Sequence, residues 1–396
     1  MIDEGILIGV LGGARGASVG RTGRVIGERI GWELDWWIGG DDRWHVPGRE
    51  VAVRQSRVDD MPVVQTSMRV PGGDAVQRVF GAAVAGADDV AVIDVANESP
   101  APFVAALVVR GASTVDLDRD TVYVDGRAAL RTARPPSRWA VAADGTTEDT
   151  VTSGNASDGP FAPRRDRGAR LTAAFLYPVA HRTTLRAAIT LGLRGLGTVD
   201  VKALPGPDAV ARGWRAQLDR GMRVELPDPM LQTAVDTARA AALLAGQAWK
   251  ADPAVVATLE DWGFDAEAAG AWARLTGRER RRLGNRVPTP ATWAAARDLA
   301  ASGDRGFLAA VRSTLLRDDD ASVVLLDEWP SEWRGLAVDV RDAPTRHGPV
   351  SFSVRWHGDR PALLWDAPAD VRLTVPGLDP NWSSTEPHGE TLLSPP

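Results

Sequence analysis

The strongest constraint on this chain's fold is a change of hydrophobic period near Leu226-Pro-Asp-Pro229. Upstream, apolar and polar residues alternate with period two, as half-buried strands require. The alternating segments are 51–55, 63–70, 90–95, 103–109, 121–124, 139–142, 171–176 and 183–190. Pro71-Gly-Gly, Asp125-Gly126 and Ala143-Asp-Gly145 punctuate them as turns. Many strands without intervening helices predict an antiparallel β-sandwich. The polar, glycine- and arginine-rich stretch 145–169 reads as a long loop.

Downstream the apolar spacing becomes helical. Asp228 is placed to cap a helix and Pro229 to occupy its first position, ahead of an amphipathic run over 230–247. Further helices are predicted from Asp252-Pro253 to Trp262, over 264–275, from Thr289-Pro290 through Trp293 to 301, and over 304–316. Alternation returns at 350–356, 361–365 and 371–375, and the proline-rich stretch from Gly377 onward reads as an extended tail. The expected fold is therefore α+β and multidomain. It comprises a β-sandwich over 1–225, a short all-α domain over 226–318, and a small C-terminal β segment with its tail over 319–396.

Composition narrows the chemistry. Without cysteine there is no disulfide, thiolate metal site or cysteine nucleophile. A net charge of -6 offers no surface for neutralising phosphates, so no nucleic-acid partner is expected. The five histidines lack metal-ligand spacing, and neither metal nor cofactor is expected. No apolar run is long enough to span a bilayer. The start, Met1-Ile-Asp-Glu4, is acidic where an export signal is basic, which predicts a cytoplasmic protein without membrane contact. Tryptophan stands out, with 15 residues against 7 Phe and 2 Tyr. Its broad apolar face with one N–H suits sugar stacking and large cores alike.

Several stretches carry a family likeness: Trp32-Glu-Leu-Asp-Trp-Trp37, Asp41-Asp-Arg-Trp-His45, Ile93-Asp-Val-Ala-Asn-Glu-Ser-Pro100, Val224-Glu-Leu-Pro-Asp-Pro229 and Leu259-Glu-Asp-Trp-Gly-Phe-Asp265. Asp342-Ala-Pro-Thr-Arg-His-Gly348, Val354-Arg-Trp-His-Gly358 and Ala362-Leu-Leu-Trp365 extend it. Together with the order sandwich, helices, small β piece, the chain resembles glycoside hydrolases in which a supersandwich precedes an (α/α) six-hairpin toroid, as in glucoamylase-like enzymes. The resemblance implies hydrolysis of glycosidic bonds by paired carboxylates on an oligosaccharide or polysaccharide. One departure is large. Twelve helices with their loops need roughly 300 residues, and residues 229–316 supply only an incomplete toroid. The alternative is a catalytically inactive, glycosidase-like carbohydrate-binding or scaffolding protein.

Glycoside hydrolysis needs two carboxylates about 5–10 Å apart across one sugar. Glu260, Asp261 and Asp265 are the richest local supply, with Trp262 between them. Asp261 and Asp265 share a face only if the helix continues past Gly263; otherwise the acids sit in water or cap the next helix. Trp37, Arg43, Trp44 and His45 offer aromatic platforms with directional polar groups, or simply a buried tryptophan cluster. Trp36 and Trp37 must point to opposite faces of a strand, so at most one lines a cleft easily. Asp342, Arg346 and His347 would contribute to a cleft or tie the C-terminal piece to the sandwich. The basic run from Arg278 to Arg286 reads as a solvated helix end.

Overall fold

The computed structural model describes residues 5–13, 15–28, 30–143, 145–166, 170–247, 252–284 and 291–394. The chain forms two compact units, Met1–Gly213 and Trp214–Pro396.

The first unit holds two sheets, and every strand pairing described within it is antiparallel. The eight-stranded sheet runs Ile6–Gly9, Gly16–Val19, Val25–Gly27, Glu33–Gly39, Phe103–Ala112, Leu171–Val179, Arg138–Ala142, with Trp44–His45 paired to Glu33–Gly39. The nine-stranded sheet runs Arg164–Arg165, Thr114–Asp118, Thr121–Val124, Arg127–Thr132, Thr184–Thr190, Val90–Glu98, Gly73–Ala82, Val63–Val70, Val53–Arg57. One buried cluster draws on both sheets. It takes Leu34, Trp36, Ile38, Leu107 and Phe175 from the first, and Val64, Val79, Ile93 and Ile189 from the second. Period-two alternation puts these side chains on one face of each strand. Where Gly73–Ala82 passes Ile6–Gly9 only glycine fits, since a Cβ on Gly81 would lie 2.1 Å from the Gly9 carbonyl oxygen. Asp125 and Gly126 both have positive φ, 51° and 79°. That is the two-residue hairpin geometry their sequence favours.

In the second unit Asp228 caps the helix Pro229–Ala245, its Oδ1 accepting from the Met230 and Leu231 amides at 3.1 Å. Asp252 caps Pro253–Asp261 in the same way, at 2.9 Å from the Ala254 amide. Helices Asp265–Trp272, Gly277–Gly284, Trp293–Ser302 and Phe307–Leu315 follow. The expected start at Thr289-Pro290 lies outside the described residues; Thr292 caps Trp293–Ser302. A buried arginine organises the helices. Arg239 donates to the Leu218 and Met222 carbonyls at 2.7 Å and lies 5.3 Å from the Trp262 ring centre. Burial pushes its pKa down to about 10.

A five-stranded sheet runs Arg223–Glu225, Val338–Ala343, Val350–His357, Arg360–Asp366, His388–Leu392. A four-stranded sheet runs Leu316–Asp318, Ser322–Leu325, Arg372–Val375, Asp379–Ser384. The molecule is thus α+β, with its helices mostly in the C-terminal half.

Three departures from the sequence expectations have physical reasons. The stretch read as a tail carries the strands Asp379–Ser384 and His388–Leu392, because Gly389 and its neighbours pair with Arg360–Asp366. The loop over 145–169 contains a short helix, Thr147–Thr152, whose Val151 joins a buried cluster with Trp37, while 167–169 lie outside the described residues. A helix, Pro207–Leu218, falls in the region read as wholly β, burying Ala211, Trp214 and Leu218 along one stripe.

Candidate functional site

The five-stranded sheet of the second unit has two unlike faces. Val224, Val338, Val340, Phe352, Val354 and Leu363 are buried on one. The alternate positions put Arg223, Asp339, Arg341, Ser351, Ser353, Asp366 and His388 on the other. These residues, with Asp342 and Trp365, line an open groove of about 520 Å³. Ser351, Asp366 and His388 stand directly opposite one another on three neighbouring strands. Cross-strand neighbours of this kind have Cβ atoms about 4.5–5.5 Å apart.

Asp342 reaches the groove through a bulge. The register shifts between Val340 and Ala343, and Asp342 takes a left-handed φ of 56°. Its amide donates to Ser351 Oγ at 3.0 Å, and its carboxylate pairs with Arg223 at 3.1 Å. Bulges commonly re-aim a side chain in this way. Asp339 binds Arg341 at 2.8 Å, and this bond raises the arginine above its ordinary pKa. Asp366 has no ion pair among the described residues. The groove therefore offers paired Arg–Asp groups, two serine hydroxyls, an imidazole and one carboxylate outside any ion pair.

Among the residues singled out from sequence, only Asp342 lines this groove. Glu260 is exposed near the end of Pro253–Asp261, and Asp261 is its last residue. Gly263, at φ 75°, ends that turn, and Asp265 opens the next helix, exposed. The two aspartates therefore sit on separate helices rather than on one shared face. Trp262 is fully buried, its Nε1 donating to the Leu308 carbonyl at 3.3 Å.

Trp36 and Trp37 do point to opposite faces, and both are buried. Trp37 is covered by Val151, Ala156 and Leu176, with the Arg110 guanidinium 5.4 Å from its ring centre. It presents no ring face to solvent. Trp44 is half-buried against the same cluster. His45 is buried between two acids, with Nε2 2.9 Å from Asp42 Oδ1 and Nδ1 3.5 Å from Glu50 Oε1. Arg43 binds both Glu50 oxygens, at 2.5 and 3.0 Å. The Arg43 hydrogen bond holds the Glu50 carboxyl below its ordinary pKa, and the His45 hydrogen bond does the same for Asp42. These four polar side chains lock the hairpin around Gly40.

Arg346 and His347 tie their turn to the segment 318–320. The Arg346 amide donates to Asp318 Oδ2 at 3.0 Å, its guanidinium pairs with Asp318 and Asp320, and His347 Nε2 lies 2.8 Å from the Asp319 carbonyl oxygen. The tether these bonds make runs to a segment of the same unit rather than to the sandwich that the sequence reading named.

Buried acids elsewhere in the first unit are also held by arginine. Asp35 meets Arg110 at 3.1 Å, and Asp94 takes both arms of Arg186 at 2.7 and 2.8 Å. Among the described residues no group of three or more His, Asp or Glu side chains is placed to hold a metal ion. No described helix is long and apolar enough to cross a membrane.

Sequence reasoning missed Arg223, Asp339, Asp366 and His388. The alternation in Val350-Ser-Phe-Ser-Val-Arg-Trp356 did mark one polar face. What it could not show was that strands from both ends of the unit extend that face. No protein-family model matches the chain, and a search of curated proteins finds no relative.

Proposed function

We propose that this chain is a carbohydrate-binding protein of glycosidase-like build that does not hydrolyse its ligand. The observation that carries the reading is the groove on the five-stranded sheet. Its volume lies within the range of about 300–1,000 Å³ typical of small-ligand sites. Its lining mixes donors and acceptors in short spacing, which is what vicinal hydroxyls require. Arginine and aspartate already paired with each other present oriented polar atoms at little further desolvation cost, so a neutral polyol suits the groove better than a strongly charged ligand.

The same geometry disfavours hydrolysis. Asp339 and Asp342 are each tied to an arginine, whereas an acid–base pair must face one sugar from two sides. Glu260, Asp261 and Asp265 end or begin helices, and the tryptophan between them is buried. Within this proposal the two N-terminal sheets, which share one core cluster, form a supersandwich. The helices of the second unit are what remains of an (α/α) toroid, and the protein works in the cytoplasm.

The test is a glycan-binding screen of the purified protein, followed by calorimetry on the best ligand with Asp366→Asn and Arg223→Ala. Loss of a hydrogen-bonded charged group should weaken binding about tenfold or more. Absence of binding by a folded sample, or affinity unchanged in both variants, would sink the groove. Release of reducing sugar from the bound glycan would overturn the non-hydrolytic half and restore the glycosidase reading.

A further inference from the structure

The helix Gly277–Gly284 has a face that the fold does not use. Its inner side packs against the fold. Leu283 is buried, Arg280 lies 5.9 Å from the Trp272 ring centre, and Arg280 also donates to the Ala273 carbonyl at 3.0 Å. Glu279, the helix's one acid, reaches back to its start, accepting from the Thr276 amide at 2.8 Å and hydroxyl at 2.7 Å. That reciprocal arrangement is a capping box.

The outer side carries Arg278, Arg281 and Arg282, all exposed. Spaced i, i+3 and i+4, they share one face. None has an ion-pair partner among the described residues. Elsewhere arginines as differently placed as Arg43, Arg110, Arg186, Arg215 and Arg297 each meet a carboxylate. Three like charges at these spacings repel one another, and only Arg281 and Arg282, in the last turn, gain from the helix dipole.

We propose that this arginine face docks an acidic segment of a partner protein. Guanidinium forks suit carboxylates two atoms at a time. Arg278 and Arg282 are separated along the axis by about 6 Å, four residues at ~1.5 Å each. Alternate carboxylates of an extended peptide are spaced by ~6.6–6.8 Å, close to that separation. A nucleic acid fits less well. Three cations correspond to a slope of only about -2.7 in log affinity against log salt. The chain's net charge of -6 also repels a long polyanion. The proposal is independent of the groove.

The test is fluorescence anisotropy with a labelled peptide of alternating glutamate and glycine, its glutamine counterpart, and a labelled oligothymidylate of similar length. The full chain should bind the glutamate peptide, ignore the glutamine one, and lose at least about tenfold in affinity in R278A/R281A/R282A, with an unchanged melting curve. If the triple variant melts early, R281E alone carries the same expectation at one exposed position. Undiminished binding by a folded variant, no peptide binding by the folded wild type, or tighter binding of the oligothymidylate each overturns the proposal.

Discussion

At the scale of single residues, tryptophan in this chain is foremost a packing residue. Trp36, Trp37, Trp262 and Trp293 are among the largest fully buried side chains. Three of them also place the indole N–H on a carbonyl: Trp36 donates to Thr22 at 3.0 Å, Trp293 to Glu328 at 3.1 Å and Trp262 to Leu308 at 3.3 Å. Ion pairing is the second residue-scale theme, and the hairpin lock of Asp42, Arg43, His45 and Glu50 gives it a pH signature. Glu50 and Asp42 have folded-state pKa values below their ordinary ones. Such groups bind fewer protons in the folded state, so their stabilisation is complete above the unfolded carboxylate range, about pH 5, and is lost as pH falls through the lowered values. Glu50→Gln should therefore reduce stability at neutral pH while flattening the acid limb of the stability profile. Urea midpoints measured from about pH 7 down to 3 check this; parallel profiles for the two proteins would refute it.

At the scale of elements, local chemistry was the most legible. The caps Asp228 and Asp252, the Asp125-Gly126 hairpin and the strands Val63–Val70 and Thr121–Val124 stand where alternation and turn residues put them. Thr276-Gly-Arg-Glu279 likewise carried a helix start, hidden by the basic residues around it. The candidate groove was not legible, because strand pairing between distant segments leaves no periodic trace. The C-terminal strand shows this best. His388–Leu392 reads as tail from its prolines and glycines, yet Gly389 is required there. A Cβ at that position would come within 2.5 Å of the Trp365 ring, which also donates to the Glu386 carbonyl at 2.9 Å and stands edge-on to Trp382, centres 5.1 Å apart. Truncation after Glu386 should therefore remove one wall of the groove, abolish glycan binding and red-shift tryptophan emission as Trp365 becomes exposed. A truncated protein with unaltered emission and unaltered ligand affinity would show that the strand is dispensable.

At the scale of the whole molecule, the division near residue 213 makes a claim about cores. In the first unit, one buried cluster draws on both large sheets, and a second gathers Trp37, Ala106, Val108 and Leu176 under the short helix Thr147–Thr152. The second unit has its own anchors, with Arg239, Trp262 and Phe264 among the helices and Val340, Phe352 and Leu363 behind the groove sheet. Units of about 200 residues bury some 70% of the surface their unfolded chains expose, which is enough for independent folding. Residues 1–206 and 207–396, produced separately with the helix Pro207–Leu218 left whole in the second, should each fold. The first should give a β-type circular dichroism spectrum and the second a mixed one, each with a cooperative melt. Failure of the second fragment alone would mean that its helices and sheets need the first unit to fold. Success of both would allow the groove and the arginine face to be assayed on the second fragment, which contains every residue either proposal invokes.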